Sequence, residues 1–545
     1  MKLTHYAALI LAVALAACDE EGAGDAGGDA APLDLTSGDK TISPAPDKTI
    51  AMDAAAALDK LATKTDLGQV DGPLPTPGTV NVTTLKGKVM FGYQGWFGCP
   101  GDGSALNSWM HWFSSQTPKA ASATYDLWPD MTELSAAERC PTQMTLPGGK
   151  PAAVFSAYRQ ATVARHFKWM KDNGLHGVFL QRFVSELSSP KHKAFRDHVA
   201  KNVMAGAEKH GRVFAVMYDI AGTSSATLIP KIKADWAHLV KTLKLTSSKR
   251  YLRHAGKPVL AVWGLGFTHT KASAAQAAQL ISYLRVQAPA AERVTFIGGV
   301  PTHWRTLKGD ARAGSAWAKV YKSMDVLSPW TVGRYGTEAG ADNHRAKIIT
   351  PDMADLAKST TAYMPVVFPG FSWANLKPGA TYNQIPRLGG AFFWRQAYNA
   401  MAAGAGMLYV AMFDEVDEGT AMFKMAPTNA QLPAQGSFVP LDADGYQLPA
   451  DWYLKLAGAA TRAMANKIPL TKTMPLTPKC GPAPHYKVKG GKCLPSCGVL
   501  LSSKKLQDNG KGCCSKGCLP GATAAGASFD CSVCCSGSGS ASLCK

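Results

Sequence analysis

The stretches VFAVMYD (213–219), IPKIKADWAHLVKTL (229–243) and PVLAVWG (258–264) follow one another along the chain, and their order decides the fold. The outer two are short and almost wholly apolar, as strands buried on both faces are. The middle one spaces its apolar residues at helical intervals. Strand, helix, strand in that order makes a parallel crossover unit. Working outward, six more apolar runs qualify as strands: KVMFGYQ (88–94), GVFLQRF (177–183), VTFIGG (294–299), DVLSPW (325–330), AYMPVVF (362–368) and MLYVAMF (407–413). Segments such as VARHFKWMKDNG (163–174) and AAQAAQLISYLRVQAP (274–289) separate them with helical spacing. Eight strands alternating with helices predict an α/β fold, a (β/α)8 TIM barrel. The alternative, a doubly wound open sheet, lacks the Gly-rich dinucleotide fingerprint expected after an early strand.

The barrel is expected over residues 86–466 of the 545-residue chain. Residues 1–18 combine Lys2, an apolar run too short to span a bilayer, and small residues that close on Cys18. They resemble a bacterial lipoprotein signal. That resemblance implies cleavage to leave Cys18 as an acylated N-terminus, with the mature chain lipid-anchored in the cell envelope, periplasmic or at the cell surface. Residues 19–85, rich in Ala, Gly, Asp and Pro, hold too little apolar material to offset ordering entropy and are read as a flexible tether.

Setting Cys18 aside leaves 12 of the 13 cysteines, an even number in a chain that leaves the reducing cytoplasm. Ten of them lie between Cys480 and Cys544, so residues 467–545 are expected to form a disulfide-stapled module rather than a zinc site. Cys99 and Cys140, isolated from the rest, are expected to pair with each other. The formal net charge is +19, and from residue 471 onward ten Lys face only Asp508 and Asp530. Nothing resembles a nucleic-acid recognition module, so an anionic surface or polysaccharide is the better electrostatic partner.

Active sites of such barrels form at the C-terminal ends of the strands. Reading past the first strand gives Tyr93, Gln94, Trp96, His111 and Trp112; the second and third give Gln181 and Asp219. Later strands contribute Trp263, His303, Trp330 and Trp373. Aromatic rings pack on the apolar faces of sugars, while amide, imidazole and carboxyl groups address their hydroxyls, so this mixture suits a carbohydrate. The eighth strand runs into Asp414, Glu415, Asp417 and Glu418. Such crowding requires solvation, a metal, or a carboxyl that holds its proton at neutral pH. Glu415 and Glu418 have the spacing of a glycosidase acid/base pair. An acidic start to a following helix, favoured by its macrodipole, explains the same residues. The alternating spacing of a calcium loop is absent.

The run MFDEVDEGTAMF (412–423) resembles the strand-eight motif of glycoside hydrolase family 99, the endo-acting α-mannosidases and α-mannanases. VMFGYQGWFGCPGDG (89–103) with WMHW (109–112) resembles the first-strand signature of that family and of the family 71 group, which includes bacterial proteins labelled xylosidase or arabinosidase. MYDIAG, KPVLAVWG, VVFPGFSW and PRLGGAFFWRQAYNA extend the likeness across residues 86–425. It implies a barrel fold and retaining hydrolysis of an α-linked polysaccharide or glycan, endo-α-mannosidase-like, with no metal or cofactor and the chain acting as a monomer. By motif position Glu415 would be the base toward the sugar 2-hydroxyl and Glu418 the general acid/base, with Arg387 and Tyr93 as pocket residues. The family motif commonly reads Asn-Glu-Trp-His-Glu, where this chain has Asp414, Glu415, Val416, Asp417 and Glu418. Two alternatives stand beside this reading: a related α-glucan or arabinoxylan hydrolase, and a noncatalytic glycan-binding lipoprotein.

Overall fold

The computed structural model describes residues 78–480, together with four two-residue strands, Tyr486–Lys487, Cys493–Leu494, Thr523–Ala524 and Ala527–Ser528. The expected signal with Cys18, nearly all of the tether and most of the cysteine-rich module lie outside the described residues. Eight strand positions build one parallel sheet: β1 (Lys88–Tyr93), β2 (Gly177–Phe183), β3 (Val213–Asp219), β4 (Lys257–Trp263), β5 (Thr295–Val300), β6 (Val326–Pro329), β7 (Ala362–Tyr363 with Val366–Val367) and β8 (Met407–Val410). Each pairs with the next in chain order, and β8 pairs with β1. This is an α/β, TIM-barrel-like fold.

β2 and β3 match their expected bounds because both faces are buried, one against the barrel interior and one against helices. β7 departs from expectation. It splits into Ala362–Tyr363, paired with β6, and Val366–Val367, paired with β8. Pro365 stands in the break, where it has no N–H for the ladder, yet its carbonyl still accepts the N–H of Tyr409 at 3.0 Å. The ladder thus passes from β6 to β8 across Met364 and Pro365.

The crossover helices include α1 (Gln160–Asn173), α2 (Pro190–His210) and α3 (Ser225–Lys241). Ser189 caps α2 ahead of Pro190, whose missing N–H costs nothing in a first turn. The buried faces of these helices cover the sheet, with Phe167 of α1, Val199 and Val203 of α2 and Trp236 of α3 among the core residues. Between β1 and β2 an antiparallel hairpin, Arg139–Thr145 with Pro151–Phe155, is tied to the β1 loop by the expected Cys99–Cys140 disulfide. No helix among the described residues is long and apolar enough to cross a membrane.

Candidate active site

Backbone register sorts the strand-end residues into two sets. Phe183, Asp219 and Trp263 are successive partners across β2, β3 and β4, so their side chains point the same way. Phe183 stacks on Trp96 with ring centroids 5.4 Å apart, and Trp96 stacks on His111 at 3.9 Å with the planes 3° from parallel. One step deeper, Gln181 donates to the Tyr409 hydroxyl at 2.9 Å. Gly92 makes room here, since a Cβ on it would fall 2.3 Å from that hydroxyl. These groups line the mouth.

Residues alternating with them face the helices. Tyr93 contacts His166 of α1 at 2.9 Å. Arg182 binds Asp235 of α3 and Asp197 of α2, each at 2.6 Å.

The acidic run enters this mouth on a pinned backbone. No helix begins there: Val416 to Glu418 form a turn ending at Gly419, whose φ is +67°. The carbonyl of Val416 accepts the N–H of Asp126 at 3.2 Å, and that of Glu418 accepts the N–H of Ser372 at 3.0 Å. Arg387 holds the carbonyls of Gly419 at 2.8 Å and Ala421 at 2.7 Å. The helix-start explanation of the carboxylates is thereby removed, and the turn is fixed from three sides.

Each carboxylate then has its own surroundings. Asp414 accepts the backbone N–H groups of Gln94 at 2.7 Å and Gly95 at 2.9 Å, joining the acidic loop to the end of β1. Glu415 accepts from the Gln94 amide at 2.5 Å and from the Thr420 hydroxyl at 2.6 Å, one donor to each oxygen. The Nδ1 atom of His111 lies 3.6 Å from Asp417, and among the described residues it is the only ion-pairing neighbour of the four carboxyls. Burial, with Arg196 nearby, lowers the His111 pKa to about 3, so the ring is neutral and brings no charge to Asp417.

Uncompensated burial pushes the acids toward their protonated forms. Burial, then Asp417, raises Glu418 to about 8, and burial raises Asp417 to about 8. Burial, Glu418 and Asp417 push Glu415 up, while the Thr420 and Gln94 donors pull it down. Protonation of Glu418 and Asp417 removes their push on Glu415, whereas burial continues to raise it against its two donors. Across the mouth burial raises Asp219 to about 7, with Glu186 and Glu418 adding to the effect.

No family model matches the sequence, and no curated protein matches it. Among solved structures the chain resembles the GH99 endo-alpha-mannosidase from Bacteroides thetaiotaomicron. With bis-tris-propane bound, that structure gives 14% identity and a TM-score of 0.52 over 70% of this chain and 98% of that one. A second structure of the enzyme gives 13%, 0.51, 70% and 99%. The fold is GH99-like.

In this GH99-like barrel the expected site residues separate into groups. Gln94, Trp96 and His111 gather around the Glu415–Glu418 turn, Gln181 reaches Tyr409 on β8, and Asp219 is close enough to Glu418 to feel its charge. Trp263 and Trp330 meet edge to face at 5.4 Å on the rim of β4 and β6. His303 is near them, bound to Asp310 at 3.0 Å. Trp112 is fully buried, its indole donating to the Phe155 carbonyl at 2.7 Å. Trp373 donates to Gln384 at 3.1 Å and is covered by Lys377. Tyr93 and Arg387 serve the helix layer and the acidic turn respectively rather than the mouth. Phe183 is legible at the end of its strand, whereas the sequence singles out neither Thr420 nor Tyr409. Thr420, five residues beyond Glu415, is within reach of a search for hydroxyl donors to the acid pair; Tyr409 needs the sheet register.

Proposed function

We propose that the chain is a glycoside hydrolase that cleaves an α-linked glycan with retention, using Glu415 and Glu418. The observation that carries this reading is the asymmetry of surroundings in the pair: Glu415 receives a neutral donor on each oxygen, whereas Glu418 sits beside Asp417, and burial raises the pKa of both glutamates. Glycosidic cleavage calls for one ionised and one protonated carboxyl at neutral pH. In the first step Glu415 takes the proton of the sugar 2-hydroxyl, O2 attacks C1, and the C1–O bond to the leaving sugar breaks. The departing oxygen takes the Glu418 proton, leaving a 1,2-anhydro sugar. In the second, Glu418 takes a proton from water, the water oxygen bonds to C1, the C1–O2 bond breaks, and O2 recovers its proton from Glu415.

The surrounding groups suit a sugar. Gln94 Oε1, Trp96 Nε1 and Asp417 Oδ1 are buried without a hydrogen-bond partner among the described residues, and each such group costs about 1–3 kcal/mol unless something meets it. The hydroxyls of a bound sugar can satisfy donor and acceptor alike. The endo-α-mannosidase of the same fold makes α-mannan the first substrate to try. Replacing Glu415 or Glu418 by Gln should reduce reducing-sugar release from α-mannans, α-glucans or xylans by about 10²–10⁴-fold. Unchanged activity in both variants would refute the assignment. We further propose that Cys18 anchors the chain by a lipid, so that Cys18→Ala moves it from membrane to soluble fractions; an unaltered distribution would exclude the anchor.

A further inference from the structure

The mouth is electrically lopsided. The acidic turn occupies the side of β8 and β1, whereas the rim of β4, β5 and β6 carries donors. There Trp263 and Trp330 form an aromatic corner, and His269 lies 6.4 Å from Trp263 by ring centroids. The Trp263 indole nitrogen and both ring nitrogens of His269 are buried with no hydrogen-bond partner among the described residues. Burial lowers the His269 pKa, and Arg334 and Arg312 are close enough to lower it further. The neighbouring carboxylate, Asp310, is already engaged. It accepts the backbone N–H groups of Thr302 at 3.0 Å and His303 at 3.1 Å, the His303 ring at 3.0 Å and Arg334 at 2.6 Å. Arg334 thus pairs with the one carboxylate here, Arg312 donates to the carbonyls of Phe267 and Thr270, and the Trp263 N–H is left unmatched among the described residues.

The Trp263 N–H and the one N–H of a neutral His269 ring are donors beside the guanidiniums of Arg334 and Arg312, and anionic oxygens accept from such groups more strongly than neutral ones do. The charge of the whole unit agrees. Residues 78–470 contain 43 Lys and Arg against 25 Asp and Glu, even with four carboxyls spent on the acidic turn. A strongly positive barrel draws polyanions to its mouth.

We propose that the rim formed by Trp263, His269, Trp330 and Arg334 is a subsite for an acidic sugar, so that the glycan carries carboxylate, sulfate or phosphate groups. The hydrolase reading supplies the context for this subsite. Trp263 is the register partner of Asp219, whose carboxyl feels Glu418, so the acidic sugar lies close to the bond that is cut.

The test measures binding by the full-length Glu418→Gln protein in affinity electrophoresis. Three acidic polymers are each set against a neutralised counterpart: polygalacturonate and its carboxyl-reduced form, phosphorylated α-mannan and its dephosphorylated form, sulfated α-fucan and its desulfated form. The expected result is at least tenfold tighter retention of one acidic member, and the pair that shows it identifies the anion. Adding His269→Glu should abolish that preference. Lys209→Ala, which alters the net charge by the same single unit beside a hollow lined by Gly78 and Lys249, should retain it. Trp263→Phe, which keeps the ring but removes its N–H, should weaken the preference should His269→Glu fail to fold. Equal or absent retention of both members, or a preference untouched by His269→Glu and Trp263→Phe, overturns the subsite. Hydrolysis by the unmodified chain without charge preference removes the subsite alone. Preferential binding without hydrolysis removes the hydrolase reading alone.

Discussion

Replacing Asp417 by Asn probes the proton balance of the acidic turn with little change in shape. Asp417 is 2% exposed and adjoins Glu418, and its charge raises both Glu418 and Glu415. A unit charge roughly 7 Å away, at an effective dielectric near 20, contributes about 2 kcal/mol. At ~1.4 kcal/mol for each factor of ten, that moves proton affinity by between one and two pH units. Removing the like charge makes Glu418 surrender its proton more readily, so the alkaline limb of kcat/KM, expected near pH 8, should fall toward pH 7. Activity at pH 6 should stay near that of the unmodified chain, and activity at pH 8.5 should drop about tenfold. Stability supplies a second readout with a definite sign. Asp417 has a folded pKa of about 8, above its ordinary 3.8, so the folded state binds the extra proton between these values. Stability therefore declines as pH rises from about 4 to about 8. The Asn variant lacks this penalty, and its gain in Tm over the parent should be larger at pH 8 than at pH 5. An alkaline limb that stays in place in a folded variant with unchanged KM would refute the reasoning.

Thr420→Val removes one of the two donors to Glu415; a hydrogen bond to a charged group contributes about 1.5–3 kcal/mol, so kcat/KM should fall roughly 10- to 100-fold and its acid limb should rise. Tyr93→Phe removes a contact with His166 on the helix side of β1, so urea unfolding should show a loss of about 1 kcal/mol while kcat is unchanged. Cys99 and Cys140 close a loop across 41 positions, and Cys140→Ser should lower stability by about 4 kcal/mol on the chain-entropy account, with the parent's Tm falling likewise under reductant.

The strands were legible because burial on both faces writes itself into sequence as unbroken apolar runs, and β2 and β3 were read to the residue. β7 was not, because Pro365 breaks its ladder while the apolar run continues through it. The acidic run was legible in composition, but its spacing fitted an acidic helix start equally well, and the family resemblance was what singled out Glu415 and Glu418. The mouth around it was only partly so, since reading past each strand end mixes inward and outward residues: Tyr93 and Arg182 face helices, while Gln94 and Phe183, their immediate neighbours, face the site. Which residues share a layer depends on strand pairing, and that is a property of the assembled sheet. Arg387 holds carbonyls more than thirty positions away, and no local pattern announces such a contact.

The bonds from Asp414 to the backbone of Gln94 and Gly95, with the Gln94 amide on Glu415, knot the last strand to the first. A ribosome emits β1 early and the acidic turn more than three hundred residues later, so the two halves of that knot meet only when the sheet has gone full circle. A nascent or truncated chain already carries Trp96, Trp263 and Trp330 but lacks the acidic turn. On the reading proposed above, cutting waits for completion.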